Sequence, residues 1–371
     1  ITVVAVDDGV RGKDYVVVNE GALDVTAGGD GIKSDNEEDA DKGFISVAAG
    51  SLTVTSGGDA IQAATDVLIV GGDFSISAGG GSSSRLAADD SAKAIKGAVS
   101  VVIEGGVFVI DAADDAVHSN ASVVINDGSF EIATGDDAVH ADETVVVNGG
   151  TINVTASYEG LEAASVTING GDIDIIAADD GLNVAGGVDG SGELAATGEP
   201  SQDTFRPGPG GGPGAGGPGG GMPEEVPGDY YLYINGGTVV IDAYGDGIDS
   251  NGYVYMTDGT VIINGSTSTR DSALDHNGSF EMSGGTLIGT NVDGMMSEGI
   301  DAGTQASIYV TTGTVYPAGT VIHIETGDGD GVLTFEAGQD FSVIVFSSPD
   351  LAAGETYNVY LGGTPDGDNL Y

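Results

Sequence analysis

The sequence predicts an all-β chain that folds into a single right-handed parallel β-helix, a solenoid of about 11 to 14 coils with a period of roughly 22 residues. Short runs rich in Val, Ile and Thr alternate apolar and polar residues, as half-buried strands do. A glycine corner and an acidic pair followed by a small residue recur with one shared spacing. Segment 134–183 contains this unit twice, because its small residues Ala138, Gly160 and Gly181 lie 22 and 21 residues apart.

Both recurring features keep this period over most of the chain, which indicates stacked coils. The small residue after the acidic pair recurs at Gly9, Gly31, Ala60, Ala94, Ala116, Ala138, Gly160, Gly181, Gly247, Ala273 and Gly294. The glycine corner recurs at Gly21, Gly50, Gly72, Gly106, Gly128, Gly150, Gly171, Gly237, Gly259 and Gly285. We expect a positive φ at these corner glycines, because the sharp bend between strands requires it.

Three longer steps mark insertions into the pattern. Residues 36–42 and 79–91 lengthen two coils. Residues 188–229 include the tract RPGPGGGPGAGGPGGGMPEEVPG, whose composition cannot bury a core. We interpret 188–229 as a flexible Pro/Gly-rich insertion at one corner, because the repeat resumes in phase at Tyr231.

The prediction is one domain over residues 1–371. Residues 307–371 keep strand chemistry but lose the acidic corner, which is typical of the atypical repeats that end a solenoid. We therefore expect irregular terminal coils and a cap there. Ile1 falls in the middle of a predicted coil, so we also expect further coils upstream of it.

The charge balance limits the possible partners. The chain has 9 Lys+Arg against 58 Asp+Glu, a net charge of −49, which excludes nucleic acid and anionic membranes as direct partners. Such acidity favours multivalent cations, and it also fits a high-salt environment. No apolar run approaches the roughly 18 residues of a membrane helix, so we expect no membrane insertion. The absence of cysteine excludes disulfides and thiolate metal sites.

Stacking would place acidic residues in a first column, immediately before the small residue. This column contains Asp8, Asp30, Asp59, Lys93, Asp115, Asp137, Glu159, Asp180, Asp246, Ser272 and Asp293. Carboxylates about 4.8 Å apart repel one another unless cations or water separate them. Dense hard oxygen donors favour Ca²⁺, which accepts six to eight oxygens, over Mg²⁺. A solvated acidic edge without bound ions is the alternative.

A second column, two residues after the small residue, changes character along the axis. It contains Arg11, Lys33, Gln62, Lys96, His118, His140, Glu162, Asn183, Asp249, Asp275 and Met296. We expect His118 and His140 to be stacked neighbours, either as a polar stack or as a transition-metal pair. The acidic part of this column forms a second group of oxygen donors.

Catalysis is a weaker interpretation of this pattern. A polyuronate lyase would need a basic residue near its metal, and the candidates Lys33, Lys93 and Lys96 lie several coils from the densest acidic region. A glycoside hydrolase would need two carboxylates about 5 to 9.5 Å apart, which stacked aspartates could supply. The predicted face lacks the aromatic and arginine side chains that usually position a sugar. We therefore predict no catalytic residue.

Several long motifs resemble one protein family. They are DDGVRGKD at 7–14, GGDGIKSDNEEDADKGFISV at 28–47, SYEGLEAASVTINGGDIDIIAADDGLN at 157–183, GDGIDSNGYVYMTDGTVIINGSTS at 245–268 and ALDHNGSFEMSGGTLIG at 273–289. They are similar to the calcium-binding parallel β-helix carbohydrate-binding domain family of bacteria and archaea, which has a polysaccharide-lyase-like fold. The resemblance implies extracellular binding of cellulose or acidic polysaccharide, several Ca²⁺ ions and no catalysis.

By motif position, the resemblance assigns calcium to one set of twelve residues. They are Asp114, Asp115, Asp136, Asp137, Glu159, Glu162, Asp179, Asp180, Asn183, Asp246, Asp249 and Asp275.

Three functions remain open at this point. The first is a calcium-binding protein at the cell surface that binds a polyuronate or cellulose. The second is a structural or adhesive surface protein, or a filament subunit, that calcium stabilises and that associates end to end. The third is a calcium-dependent polyuronate lyase.

Overall fold

The computed structural model describes residues 1–87, 90–185, 226–294, 297–301 and 303–363. Within these ranges the regular structure consists of strands alone, which confirms the prediction of an all-β chain. No helix in this part of the chain has the length and apolarity to cross a membrane.

The strands are β1 Thr2–Ala5, β2 Val10–Gly12, β3 Tyr15–Val18, β4 Ala22–Ala27, β5 Ile32–Ser34, β6 Phe44–Val47, β7 Ser51–Ser56, β8 Ile61–Ala63, β9 Asp66–Ile69, β10 Asp73–Ala78, β11 Ile95–Gly97, β12 Ser100–Ile103, β13 Val107–Ala112, β14 Val117–Ser119, β15 Ser122–Ile125, β16 Ser129–Thr134, β17 Val139–Val147, β18 Thr151–Ser157, β19 Leu161–Ile168, β20 Asp172–Ala177, β21 Leu182–Val184, β22 Tyr231–Ile234, β23 Thr238–Ala243, β24 Ile248–Ser250, β25 Tyr253–Met256, β26 Thr260–Asn264, β27 Leu274–His276, β28 Phe280–Met282, β29 Thr286–Asn291, β30 Ser307–Tyr316, β31 Val321–Thr326, β32 Gly331–Glu336, β33 Phe341–Ser347 and β34 Tyr357–Leu361.

Most repeats consist of a three-residue strand, a four-residue strand and a six-residue strand, as in β11, β12 and β13. Each strand pairs in parallel with its equivalent one repeat away. For example, β13 lies between β10 and β16, and β12 lies between β9 and β15. The six-residue strands form one long sheet, and the shorter strands form a second sheet. The architecture is therefore solenoid-like, with large parallel sheets as predicted.

The period-two alternation determines which side chains enter the core. In β13, Phe108 and Ile110 are buried, whereas the alternate residues Val107 and Val109 are half exposed. Because equivalent residues stack, Phe74, Phe108 and Phe130 form a column of parallel rings with centroids 4.6 and 4.5 Å apart. One continuous apolar core runs in this way from the first repeats to β29 and β33.

The predicted glycine corners all have positive φ, between 80° and 134°. Each corner is three residues long and connects a strand of the second sheet to the strand of the long sheet that follows it, as between β12 and β13. Space also requires glycine there, because a Cβ on Gly150 would lie 2.7 Å from the carbonyl oxygen of Gly128 one coil earlier. Next to these corners, the asparagine side chains Asn126, Asn148, Asn169 and Asn235 hydrogen-bond from coil to coil at 2.7–3.0 Å.

The stacking continues across the long insertion. In β20 and β23, Asp172 pairs with Thr238, and in β19 and β22, Ser165 pairs with Tyr231. The repeat therefore resumes in phase at Tyr231, as predicted. Most of the predicted insertion 188–229 lies outside the described residues, which resume at 226.

The last part of the described chain pairs differently. Strand β29 pairs with β33 in antiparallel orientation, and β33 pairs in the same way with β30. Strands β31, β32 and β34 form a separate antiparallel sheet. A second apolar cluster, which includes Ile322, Phe335, Phe341 and Phe346, packs between these strands. Residues 364–371 of the predicted cap lie outside the described residues.

Candidate functional site

The two columns that the sequence predicts are present. In the first column, the N–H of each small residue donates to the carbonyl oxygen of the column residue one coil further on. The pairs are Gly9 to Asp30, Gly31 to Asp59, Ala60 to Lys93, Ala94 to Asp115, Ala116 to Asp137, Ala138 to Glu159, Gly160 to Asp180, Gly181 to Asp246 and Gly247 to Ser272, at 2.8–3.0 Å. The second column is in register from Arg11 through Lys33, Gln62, Lys96, His118, His140, Glu162, Asn183 and Asp249 to Asp275.

The prediction that Asp293 continues the first column is wrong. The N–H of Asp293 donates to Ser342 Oγ at 2.8 Å, and that of Gly294 to Ser297 Oγ at 3.2 Å. The physical reason is that β29, which still pairs in parallel with β26, pairs along its other edge with the antiparallel strand β33, so no further parallel strand stacks on it. Met296 lies outside the described residues. We call the strip formed by the two columns from Asp8 to Asp275 the acidic strip.

Many first-column carboxylates have a structural role that the sequence pattern does not reveal. Each of these accepts the backbone N–H of the next column residue. Asp115 accepts from Asp137 at 3.1 Å, Asp137 from Glu159 at 3.2 Å, and Asp180 from Asp246 at 2.6 Å. A buried N–H at a turn needs an acceptor, and a short carboxylate side chain supplies one. This role explains an acid at the position without requiring a metal ion.

In the first half of the acidic strip, basic side chains neutralise these carboxylates. Lys33 Nζ lies 2.6 Å from Asp30, and Lys96 Nζ lies 3.4 Å from Asp59. Lys93 Nζ contacts both Asp114 at 2.6 Å and Asp115 at 2.5 Å.

These contacts also set the charge of the lysines. Burial alone would lower the pKa of Lys93, but the charges of Asp115 and Asp114 outweigh burial and raise it. Burial alone would likewise lower the pKa of Lys33, but its hydrogen bond to Asp30 and the charge of that carboxylate together outweigh burial and raise the pKa. Both lysines are therefore held as ammonium ions, which is unfavourable for the general base that a lyase needs.

His118 and His140 are stacked neighbours, with ring centroids 4.9 Å apart. His118 Nδ1 lies 2.8 Å from Asp115. His140 Nδ1 lies 3.0 Å from Asp137 and 2.6 Å from Glu162 Oε2. Burial alone would lower the pKa of His140, but its bonds to Asp137 and Glu162 raise the pKa to about 12. An imidazolium there supplies positive charge to the middle of the acidic strip.

Three groups in the described residues have metal-ligand composition and spacing, with donor atoms within 4.8 Å of one another. They are Asp115–His118–His140, Asp137–His140–Glu162 and Asp114–Asp115–Asp136. Lys93 already contacts two members of the last group, and the protonated His140 belongs to the other two.

The second half of the acidic strip has a different electrostatic balance. After Lys96 the sequence contains two further Lys or Arg residues, Arg206 outside the described residues and Arg270, which is exposed. Burial and the charges of Asp249, Asp246 and Asp179 raise the pKa of Asp180 well above its usual range. Burial and the charges of Asp249 and Asp275 do the same for Asp246.

Two buried oxygen atoms lie where these halves meet. Glu162 is completely buried, and its Oε1 atom has no hydrogen-bond partner among the described residues. Asn183 Nδ2 donates to Glu159 Oε2 at 2.8 Å, while Asn183 Oδ1 is likewise buried without a partner in the described chain. A buried acceptor without a donor costs free energy, which a bound cation would recover.

The twelve residues predicted to bind calcium therefore fall into two groups along the strip. Asp114, Asp115, Asp136 and Asp137 lie near Lys93 and the histidine pair. Glu159, Glu162, Asp179, Asp180, Asn183, Asp246, Asp249 and Asp275 follow toward the C-terminal end.

A second surface feature lies on the four-residue strands. Tyr231 and Tyr233 of β22 stack beside Tyr253 and Tyr255 of β25. We call these four residues the tyrosine grid. The two columns do not include it, but the sequence carries a signal for it, because Tyr-x-Tyr occurs twice with a spacing of 22 residues.

A family model described as "Carbohydrate-binding domain-containing protein" matches residues 1–138. The matched part includes the first half of the acidic strip and ends before the tyrosine grid. Comparison with curated proteins and with solved structures gave no match.

Proposed function

We propose that this protein is an extracellular polysaccharide-binding protein, built as one right-handed parallel β-helix, whose acidic strip holds several Ca²⁺ ions. The match of residues 1–138 to a carbohydrate-binding family model carries the polysaccharide part. The long regular stack supports it, because it presents side chains in rows that a polymer can follow.

The donor chemistry of the second half of the strip supports calcium. Glu162 Oε1 and Asn183 Oδ1 are buried oxygens without hydrogen-bond partners in the described residues. Burial and neighbouring carboxylates raise the pKa values of Asp180 and Asp246, and also that of Asp137, where His140 already supplies a positive charge. Near Asp180 and Asp246, positive charge, as protons or as a cation, would therefore bind favourably. Carboxylate and amide oxygens are the ligands that Ca²⁺ prefers. We therefore place the ions between Glu159 and Asp275, and regard Asp114, Asp115, Asp136 and Asp137 as weaker candidates.

Calorimetry and thermal unfolding test the calcium proposal. Calcium at about 100 times its Kd should stabilise the protein by about 2.7 kcal/mol per independent site, and EDTA should reverse the effect. Asp180→Asn should weaken calcium binding, because asparagine keeps the acceptor for the Asp246 N–H but removes the charge. Asp73→Asn, an exposed carboxylate on β10, is the matched control. Equal calcium binding by both variants and wild type would refute this placement.

Pull-down on insoluble cellulose and on polygalacturonate, each with calcium or excess EDTA, tests the polysaccharide proposal. We expect binding to at least one polymer. Failure to retain the folded protein on any neutral or acidic polysaccharide would refute the function. Retention on polygalacturonate that is unchanged in EDTA would instead refute calcium as the bridge to that polymer.

A further inference from the structure

The tyrosine grid is a two-by-two array of nearly parallel rings. Along the strands, the centroids of Tyr231 and Tyr233 are 6.0 Å apart, and those of Tyr253 and Tyr255 are 6.5 Å apart. Between the coils, the separations are 5.8 Å for the Tyr231–Tyr253 pair and 5.6 Å for the Tyr233–Tyr255 pair. The angles between adjacent ring planes are 14° to 19°.

The grid points away from the apolar core. The alternation in β22 and β25 buries Leu232 and Val254 and leaves all four tyrosines partly exposed. Core packing therefore does not explain why tyrosine occupies these positions. A tyrosine ring offers an apolar face together with a hydroxyl that can donate and accept hydrogen bonds.

Beside the grid, one coil further on, lies a half-open cleft of about 360 Å³. Its lining includes Tyr255 of the grid and the polar side chains of Thr257, Glu281, Ser283 and Thr304. Tyr255 and Glu281 occupy equivalent positions in β25 and β28, so the cleft continues the grid along the stacking direction. Aromatic surface with a few convergent polar groups is the composition of ligand sites in general.

We infer that the tyrosine grid and the adjoining cleft bind a neutral polysaccharide, whose apolar ring faces stack on the tyrosines and whose hydroxyl groups bond in the cleft. This inference rests on the proposed function and assigns it a location outside the matched residues 1–138. Pyranose rings without charged substituents have an apolar face and a hydroxyl rim, which complement the two parts of the surface.

Charge favours a neutral polymer over an acidic one at this surface. Burial and the charge of Glu281 raise the pKa of Tyr255, and burial and the charge of Asp229 raise that of Tyr231. Both phenols therefore stay protonated at neutral pH. The net charge of −49 and the neighbouring carboxylates would repel a polyuronate here, whereas they do not oppose a neutral glucan.

The test is affinity for cellulose and for a soluble neutral β-glucan, measured in calcium and in EDTA. Tyr233→Ala/Tyr255→Ala should weaken binding about tenfold or more, since it removes two stacking contacts. Tyr233→Phe/Tyr255→Phe should retain most of the binding, because the rings remain. Tyr244→Ala is the matched control, because Tyr244 is 64% exposed and lies outside the grid. Circular dichroism and the thermal midpoint confirm that each variant is folded.

Nitration of the unmodified protein provides a second test that no folding defect can obscure. With excess soluble β-glucan, the grid tyrosines should be protected from tetranitromethane, whereas Tyr244 should react as before. Mass spectrometry of the resulting peptides identifies each site.

The outcomes separate this inference from the proposed function. Unchanged binding of neutral glucan by the folded double-alanine variant, together with unprotected grid tyrosines, would overturn the inference and leave polysaccharide binding intact. Binding of acidic polysaccharide alone would overturn it as well. If the wild-type protein bound no polysaccharide, the proposed function itself would fail.

Discussion

Replacing Lys93 with methionine should remove the cation that stabilises the most crowded part of the acidic strip. The Lys93 ammonium lies 2.6 Å from Asp114 and 2.5 Å from Asp115, and the Asp115 side chain is only 2% exposed. Methionine preserves much of the apolar stem but leaves two neighbouring carboxylates without their counter-ion. Breaking a buried ion pair on one side costs about 3–5 kcal/mol, so we expect a loss of that size in the free energy of unfolding.

The loss of stability caused by Lys93→Met should depend on pH in a direction that can be measured. Burial alone would raise the pKa of Asp115, but Lys93 and His118 outweigh burial and lower it. A carboxyl group with a lowered folded pKa stabilises the protein above its unfolded pKa of about 3.9, and this stability is lost as the pH falls through the folded value. The difference in the free energy of unfolding between wild type and Lys93→Met should therefore be largest near pH 7 and should become smaller below about pH 4.

Urea unfolding followed by circular dichroism measures the difference at both pH values. Lys93→Met/Asp115→Asn should recover part of the loss, because asparagine keeps an acceptor for the N–H of Asp137 without a charge. Lys42→Met is the exposed control and should leave the unfolding midpoint unchanged, since surface ion pairs contribute little. If Lys93→Met lost as little stability as Lys42→Met at pH 7, Lys93 would not be the cation that stabilises this part of the strip.

Two further predictions concern the stack itself. Phe108→Ala removes the middle ring of the buried phenylalanine column and should cost about 3–5 kcal/mol in urea unfolding. Val109→Ala, at a side chain that is 54% exposed in the same strand, should have little effect, and equal losses would contradict the assigned inward face. Gly150→Ala should lower the thermal midpoint more than Gly21→Ala. Both positions have positive φ, but only at Gly150 would the new Cβ also meet a backbone oxygen, and the reverse order would contradict this reasoning.

The sequence was sufficient to predict the strands, their parallel stacking and the column register as far as Asp275. All of these follow from local chemistry that repeats, such as the glycine that each corner needs for its positive φ. The end of the columns was not predictable in the same way. It depends on β33, whose residues lie 52 to 60 positions after their partners in β29 and carry no repeat signature.

The role of individual acidic residues was also only partly predictable. Lys93 is the one basic residue of the first column, and in the structure it neutralises Asp114 and Asp115. The turn geometry determines that Asp137 and Glu159 point backbone N–H groups at the preceding carboxylates, and composition alone does not reveal this. The calcium assignment itself stays a prediction.

The three corners of the repeat differ in how much chain they tolerate. The glycine corner is three residues long between the four-residue and six-residue rows throughout the described repeats. The connections that follow β5, β10, β21 and β26 are longer. Each of them either begins or ends at a three-residue strand. Loop closure costs little extra free energy as a loop lengthens, provided that its ends are held in place.

The glycine corner cannot lengthen in this way, because an extra residue would break both the close backbone contacts and the asparagine ladder. The protein thus separates the part that determines its stacking from the parts that can accept new sequence. A peptide or a whole domain grafted between β21 and β22 would leave the coils on both sides in register. The fold therefore offers a scaffold on which new surface loops can be introduced while the core stays constant.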